Sequence, residues 1–336
     1  MSLRLVTVFG GTGFIGRQVV QDLAARGIRV RVAGRDPVKA EFLKPLGDLG
    51  QIAPIKVNIR NDESVVRAVE GADGVVNLIG ILAESGRSTF QAMHVETPER
   101  IARLSKAAGV SRFVHLSALG ADESSSANYA RSKAKGEAAV RAHFPEASIL
   151  QPSVVFGMHD SFFNMFGSMT RLLPALPYYV KDAFRTVRDD SGKSSIDLRG
   201  SGGPRFQPVY VGDVSEAVLR CLTDPVHQGQ TYELGGPRAY SMREIMELVV
   251  EQAERRTLVV PVPFWVARLQ AKVMQVLPKP PITPDQVRLL ETDNVVSGQR
   301  PGLEALGIEP TAAEAILPTY MHRFRPHHRN VIIRAS

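Results

Sequence analysis

Gly10-Gly11-Thr12-Gly13-Phe14-Ile15-Gly16 follows directly on an apolar run over 3–9 and opens a helical pattern over 14–26. A glycine-rich turn between a strand and a helix is a phosphate cradle. Gly10 permits the tight bend, Gly13 lets the backbone approach a pyrophosphate, Gly16 lets helix pack on strand, and the helix amino end offers unpaired N–H groups to negative charge. A second β-like run over 29–33 closes a βαβ unit, the context that separates this motif from an ordinary tight turn. Candidate dinucleotide contacts are Gly10, Thr12, Gly13, Phe14, Ile15, Gly16 and Arg17.

The second run ends where an acidic residue would hold the adenosine ribose of NAD, but Gly34 and then Arg35 stand there. Arg17 and Arg35 offer planar, permanently charged partners suited to a 2′-phosphate, so the pocket reads as NADP(H). Asp36 keeps NAD open as an alternative, although beside Pro37 it reads as the start of a turn.

Tyr129 and Lys133 lie one helical turn apart on a helix that follows the fifth strand. There Lys133 can hold the ribose of the nicotinamide half and stabilise the Tyr129 phenolate. Opposite charges a few ångström apart interact by roughly 4 kcal/mol at an effective dielectric near 20, enough to draw a phenol towards neutral pH as a proton donor.

Positioning these groups requires an alternating chain. β-like runs at 52–59, 74–78, 112–117 and 148–151 alternate with helical patterns at 62–69, 88–107 and 127–142, which predicts an α/β, Rossmann-like, doubly wound parallel sheet. Asn58, Ile59, Leu78, Ile79 and Gly80 fall at the carboxyl ends of strands, where such sheets bind ligands. The dinucleotide-binding domain is expected over 1–157, with a strand over 205–211 and nearby segments returning to it, then a smaller, irregular, proline-punctuated domain over 158–322 and a basic tail over 323–336. The Gly/Ser-rich stretch 191–203 reads as an exposed, flexible insertion. Asp213 and Glu216 have the spacing of a capping box, making Asp213 a helix start rather than an acid. Trp265, Val266, Leu269, Val273, Val276 and Leu277 form one apolar helical face, edged by Arg268 and Lys272. A core helix is the plain reading of that face, and a membrane-surface or partner-docking helix the sharper one.

The chain has 336 residues, ordinary globular composition and a formal net charge of +7, much of it late, which favours anionic surroundings such as lipid headgroups or acidic protein faces. A lone cysteine, Cys221, allows no internal disulfide and reads as core filler. Eight scattered histidines suggest no metal site, and no partner in the form of nucleic acid is proposed. No apolar stretch reaches membrane-spanning length, and the early first strand leaves no room for a targeting peptide, so a cytoplasmic location is expected.

The glycine turn, the Tyr129/Lys133 pair and the strand order together resemble the extended or atypical branch of the short-chain dehydrogenase/reductase superfamily over about the first 235 residues. In that superfamily a serine after the fifth strand bonds the substrate oxygen. In Phe113-Val114-His115-Leu116-Ser117-Ala118 that position falls on Ala118, with Ser117 one residue early and facing the other way, so the triad looks broken and Tyr129 and Lys133 look vestigial. Losing such a donor costs about 100- to 1000-fold.

Further runs, among them Phe90-Gln91-Ala92-Met93-His94-Val95-Glu96, Gln151-Pro152-Ser153-Val154-Val155-Phe156-Gly157, Phe206-Gln207-Pro208-Val209-Tyr210-Val211 and Thr283-Pro284-Asp285-Gln286-Val287, resemble the NADPH-binding accessory subunits of respiratory complex I and their bacterial relatives. That resemblance covers most of the chain. It implies a tightly held NADPH that is not turned over, other complex I subunits as partners near the junction of the peripheral and membrane arms, and a peripheral place on the cytoplasmic side of a bacterial inner membrane. It adds Ser117, Tyr129, Lys133, Pro152, Ser153 and Val154 as cofactor contacts. A soluble NADPH-dependent reductase or epimerase is the competing reading, and redox sensing through NADP(H) occupancy a third with little support.

Overall fold

The alternation of β-branched runs and amphipathic helices closes into one parallel sheet of seven strands. The computed structural model describes residues 3–181, 185–188, 194–197, 200–275 and 283–326. In chain order the first half runs β1 (Leu5–Phe9), α1 (Phe14–Ala25), β2 (Arg29–Gly34), β3 (Ile52–Lys56), α2 (Asp62–Val69), β4 (Gly74–Asn77), α3 (Thr97–Ala107), β5 (Arg112–Leu116), α4 (Asn128–His143) and β6 (Ser148–Pro152). Across the sheet the order is β3, β2, β1, β4, β5, β6 and then the late strand Thr231–Leu234. The order reverses between β1 and β4, and the glycine turn sits at that switch point.

Both faces of the sheet are covered, as a buried parallel sheet requires. On one face Val19, Val20 and Leu23 of α1 pack with Val214, Val218 and Leu222 of α6 (Val211–Thr223). On the other, Val65, Ile101 and Val140 from α2, α3 and α4 pack with Phe113 and Phe144. A separate aromatic core lies among α5 (Phe162–Leu172), α7 (Met242–Gln252) and α10 (Ala313–Met321), with Phe163, Tyr178, Ile245 and Tyr320 at its centre. A small cluster of Phe264, Ala267, Ala271 and Val287 joins α8 (Phe264–Met274) to α9 (Pro284–Leu290). Among the described residues no helix is long and apolar enough to cross a membrane.

Several expectations need correction. The helix expected over 88–107 is broken by a π-type segment at Gln91–Glu96 before α3 begins. Pro98 has no N–H to return to the His94 carbonyl four residues back, so the regular ladder fails there. Gly136 exploits the freed carbonyl: a Cβ at that position would lie 1.9 Å from the His94 oxygen. The run 205–211 does not join the main sheet. Arg205–Phe206 pairs with Tyr240–Ser241, and Val209–Tyr210 pairs with Val155–Phe156, while Thr231–Leu234 is the strand that returns.

The stretch 191–203 is not simply a flexible insertion. Ser194–Asp197 pairs antiparallel with Arg185–Arg188, and its far end is stitched to α7 by Arg243 N–H on the Gly202 carbonyl at 3.0 Å and Met242 N–H on the Pro204 carbonyl at 2.9 Å. Residues 191–193 and 198–199 lie outside the described residues.

Asp213 does not cap a helix, because α6 starts two residues earlier. Its carboxylate accepts the Thr311 N–H at 2.7 Å and the Thr311 hydroxyl at 2.8 Å, tying the approach to α10 onto the sheet domain. The start of the basic tail is not loose either: Phe324 is buried and Arg325 donates to the Gln252 carbonyl at 3.2 Å, while His327 to Arg329 lie outside the described residues.

The helix carrying Trp265 is core on its other side. Phe264, Ala267 and Ala271 are buried, whereas Trp265, Leu269 and Val273 are 65%, 56% and 63% exposed in one stripe; Val276 and Leu277 lie outside the described residues.

The Gly136 contact gives a direct test of the packing. Gly136→Ala should lower the thermal midpoint by several degrees, because a rigid carbonyl rather than a flexible side chain meets the new methyl group. An unchanged midpoint by circular dichroism would contradict the contact.

Candidate functional site

Gly10 takes φ +83°, a conformation that favours glycine, and any Cβ there would press within 3.2 Å of the Leu78 carbonyl carbon. A Cβ on Gly16 would lie 2.2 Å from the Gly10 oxygen. Gly13 differs: its Cβ would meet only the Gly10 oxygen, at 3.2 Å, and otherwise faces open space. Gly13 is the N-cap of α1, with no side-chain cap and no acidic residue in the first turn. By contrast Asn61, Ser241 and Thr283 cap α2, α7 and α9. The amino end of α1 is therefore open to an anion from outside the chain.

The adenosine corner is equally open. Arg17 keeps a buried Nε with no hydrogen-bond partner, and its guanidinium lies 5.3 Å over the Phe42 ring. Arg35 is exposed, and a Cβ on Gly34 would touch nothing within 4 Å. Asp36 is occupied, accepting the Val38 N–H at 3.1 Å in its own turn. Asn58 likewise turns inward, accepting the Arg60 N–H at 3.1 Å, and the Ile59 carbonyl accepts from Arg100 at 3.3 Å. An open helix end, a backbone-lined cradle and an orphaned guanidinium nitrogen fit a dinucleotide phosphate.

Across the switch point, Leu78, Ile79 and Gly80 meet the Tyr129 helix. A Cβ on Gly80 would lie 3.4 Å from Lys133 Nζ and 3.7 Å from His94 Nε2. Lys133 Nζ donates to the Leu116 carbonyl at 3.3 Å and sits 6.0 Å from the centre of the Tyr129 ring. The Tyr129 ring is held edge-on by His94 at 5.3 Å and Phe90 at 5.9 Å.

Here the expected activation fails. Burial pushes the Tyr129 phenol up to about 12 and pulls the Lys133 ammonium down to about 8, the latter partly offset by Glu137. In a dry pocket desolvation disfavours both charged forms, and the ammonium lies near the ring rather than activating the hydroxyl.

Ser117 is buried on the α4 side, close enough to Glu137 to lower its carboxyl affinity for a proton but without hydrogen-bond geometry; burial keeps that carboxyl raised. Ala118 is half-buried and brings no donor. The Pro152 carbonyl accepts the Leu119 N–H at 2.9 Å, the Ser153 hydroxyl turns to Asn294 Oδ1 at 2.6 Å, and the Val154 carbonyl accepts the Val209 N–H at 3.0 Å.

Three groups had no assigned role in the sequence. Asp285 of α9 accepts the Asn128 N–H at 2.7 Å and the Tyr129 N–H at 3.0 Å, capping α4 from 156 residues away. A carboxylate there is worth about 1 kcal/mol to the helix. His94 Nε2 accepts the Ile81 N–H at 3.0 Å, so its proton is on Nδ1 and goes to Ser132 Oγ at 2.8 Å, which donates to the Tyr129 carbonyl at 2.8 Å. His115 accepts on Nδ1 from Asn77 at 3.1 Å, leaving a buried Nε2–H without a partner. Burial and the Lys133 charge hold both histidines neutral, pulled down to about 3. Two polar residues facing each other on apolar strands, Asn77 and His115, were the available signal.

The model of the NAD dependent epimerase/dehydratase family matches residues 6–235, which spans the cradle, the Tyr129 helix and the returning strand. The chain belongs to this family. Within it the chain is 35% identical over 325 residues to the mouse mitochondrial NADH dehydrogenase [ubiquinone] 1 alpha subcomplex subunit 9, covering 96% of this chain and 81% of that one. It is 31% identical over 320 residues to the NADH-ubiquinone oxidoreductase 40 kDa subunit of Neurospora crassa, covering 95% and 79%. The fold is shared with the family's UDP-glucose 4-epimerase from Thermus thermophilus, solved in complex with NAD, at a TM-score of 0.66, 20% identity and coverage of 96% and 100%.

The neutral histidines set an acid limit. Their folded pKa lies below the unfolded value of about 6.5, so their stabilisation is full above that pH and is lost as pH falls. Between pH 7 and 5 each should withdraw about 2 kcal/mol, lowering the urea midpoint steeply. A midpoint that stays flat over that range would contradict the neutral, buried assignment.

Proposed function

We propose that this protein is an accessory subunit of complex I, the respiratory NADH:quinone oxidoreductase, and that it holds NADP(H) as a structural ligand. The observation that carries the reading is likeness to NADH dehydrogenase subunits along 96% of the chain, far past the residues matched by the family model. A nicotinamide dinucleotide in the cradle would bring a hydride donor or acceptor. The chain's own residues supply binding: the α1 amino end for the pyrophosphate, Arg17 and Arg35 for a 2′-phosphate, Leu78 to Gly80 for the middle of the cofactor, and Lys133 for the nicotinamide ribose. The vacant acidic position at Gly34 and the engaged Asp36 support NADP(H) over NAD(H).

Retention without turnover is the reading that the dry Tyr129/Lys133 pair supports, since a phenol raised to about 12 is a poor proton donor at neutral pH. The exposed Trp265, Leu269 and Val273 stripe, with Lys272 beside it, supports peripheral docking on other complex I subunits near the junction of its arms. Lipid headgroups beside that junction suit the net charge of +7, on the cytoplasmic side of a bacterial inner membrane. The competing reductase or epimerase reading draws on the intact Tyr129 and Lys133.

Nucleotide extracted from native protein is expected to be stoichiometric NADP(H) by mass spectrometry, and Arg35→Asp should favour NAD(H) or empty the site. Stoichiometric NAD(H) in the unaltered protein would overturn the specificity. In native gels of solubilised membranes the chain should migrate with complex I, with Lys272 crosslinked to other subunits. Tyr129→Phe should leave NADH:quinone activity nearly unchanged, while Gly13→Val, which fills the phosphate space, should reduce assembly. Migration as a free soluble oligomer, or loss of activity in an assembled Tyr129→Phe complex, would favour the enzyme reading.

A further inference from the structure

The phosphate cradle is walled on one side by a loop that belongs to the far end of the chain. Residues 157–160 leave the strand Val155–Phe156 and fold back over α1, where the Gly157 Cβ position lies 3.4 Å from two ring carbons of Phe14, the first residue of that helix. This loop is not held by its own neighbours alone. The buried Asp160 carboxylate accepts the Gly157 N–H at 3.1 Å, the Asn164 N–H at 3.1 Å and the Tyr320 hydroxyl at 2.6 Å. Arg323, one turn beyond Tyr320, donates to the Met158 carbonyl at 3.0 Å and to Asn164 Oδ1, and lies 5.7 Å over the Tyr320 ring. The chain's last described helical turns thus strap the loop onto the cradle from 160 residues away.

The strap also brings charge. His159 is exposed on this loop, and the charges that act on it are the guanidiniums of Arg17 and Arg323, which with partial burial hold its pKa below the usual value. The neighbouring Asp160 is spent on Tyr320 and two N–H groups and does not offset them. Two arginines and a histidine gathered beside an uncapped helix end repel one another unless an anion sits among them, and the orphaned Arg17 Nε marks the same place.

We propose that the C-terminal strap, Tyr320 and Arg323, is part of the dinucleotide site: it fixes the loop 157–160 against Phe14 and adds Arg323 and His159 to Arg17 as cations for the cofactor phosphates. The inference rests on the reading of the glycine turn as a dinucleotide cradle. It makes cofactor retention depend on a segment outside the residues that match the family model. It also explains why Arg323 is directed at the loop carbonyl while Arg325, two residues on, points away to Gln252 and Glu254.

The test is NADPH and NADH binding to the full chain stripped of nucleotide, followed by nicotinamide fluorescence at several salt concentrations. Arg323→Gln should weaken NADPH about tenfold and flatten the salt dependence of the dissociation constant, since one cation no longer contributes. Tyr320→Phe should weaken it less and leave the salt dependence as it was. Arg323→Lys should restore the salt dependence while recovering part of the affinity, and Arg325→Gln should bind as the unaltered protein does. Equal losses for NADPH and NADH assign Arg323 to the pyrophosphate, and a loss for NADPH alone assigns it to the 2′-phosphate; both support the strap. Unchanged affinity and salt dependence in Arg323→Gln, with binding abolished in Gly13→Val, overturns the strap and leaves the cradle standing. Failure of the unaltered protein to bind either nucleotide overturns the cradle and the strap together.

Discussion

An open helix end is the constraint on which the rest depends. Gly10, Gly13 and Gly16 bring β1, β4 and α1 together closer than any side chain would allow, and the result is a set of first-turn N–H groups that no residue of the chain caps. An uncapped helix terminus at a sheet switch point is an energetic deficit that a phosphate removes. Arg17 repeats the pattern with a buried guanidinium nitrogen lacking a partner. Much of what surrounds the cradle then follows as support: Leu78 to Gly80 as its floor, the loop 157–160 as its wall, and the strap behind that wall.

The other half of the site shows what happens when the residue types of an enzyme are kept in a dry place. Tyr129 and Lys133 have catalytic spacing, yet burial moves the phenol and the ammonium away from their charged forms, and His94 and His115 are held neutral beside them. The surroundings are rigid: Asp285 caps the helix, His94 fixes the Ile81 backbone and Ser132, and Gly136 locks α4 onto the π-type segment. Such a pocket suits holding a cofactor in one orientation more than cycling protons at neutral pH.

How far the sequence alone carries the account depends on the range of the interaction. The parallel sheet, the glycine turn and the Tyr129 helix were legible because each rests on local periodicity or on spacing within one turn. The π-type segment was not, because it needs Pro98 and Gly136 to act on one carbonyl from separate helices. Asp213 was misread as a cap because its partner, Thr311, is 98 residues away. The phenol was expected to fall because a charge pair was weighed without the desolvation that only the folded surroundings supply. The stripe on α8 was legible as apolar, but which side the core would take depended on the small residues Ala267 and Ala271 facing Val287.

If the cofactor is a structural ligand, removing it must cost stability even where nothing is catalysed. The most direct measurement is the thermal midpoint of the native protein before and after its nucleotide is stripped, and again after NADP(H) is returned. Saturation at about a thousand times the dissociation constant contributes about 4 kcal/mol, so the midpoint should fall by several degrees on stripping and recover in full on reloading. An identical midpoint with and without nucleotide would contradict the account, since an empty cradle would then be as stable as a filled one.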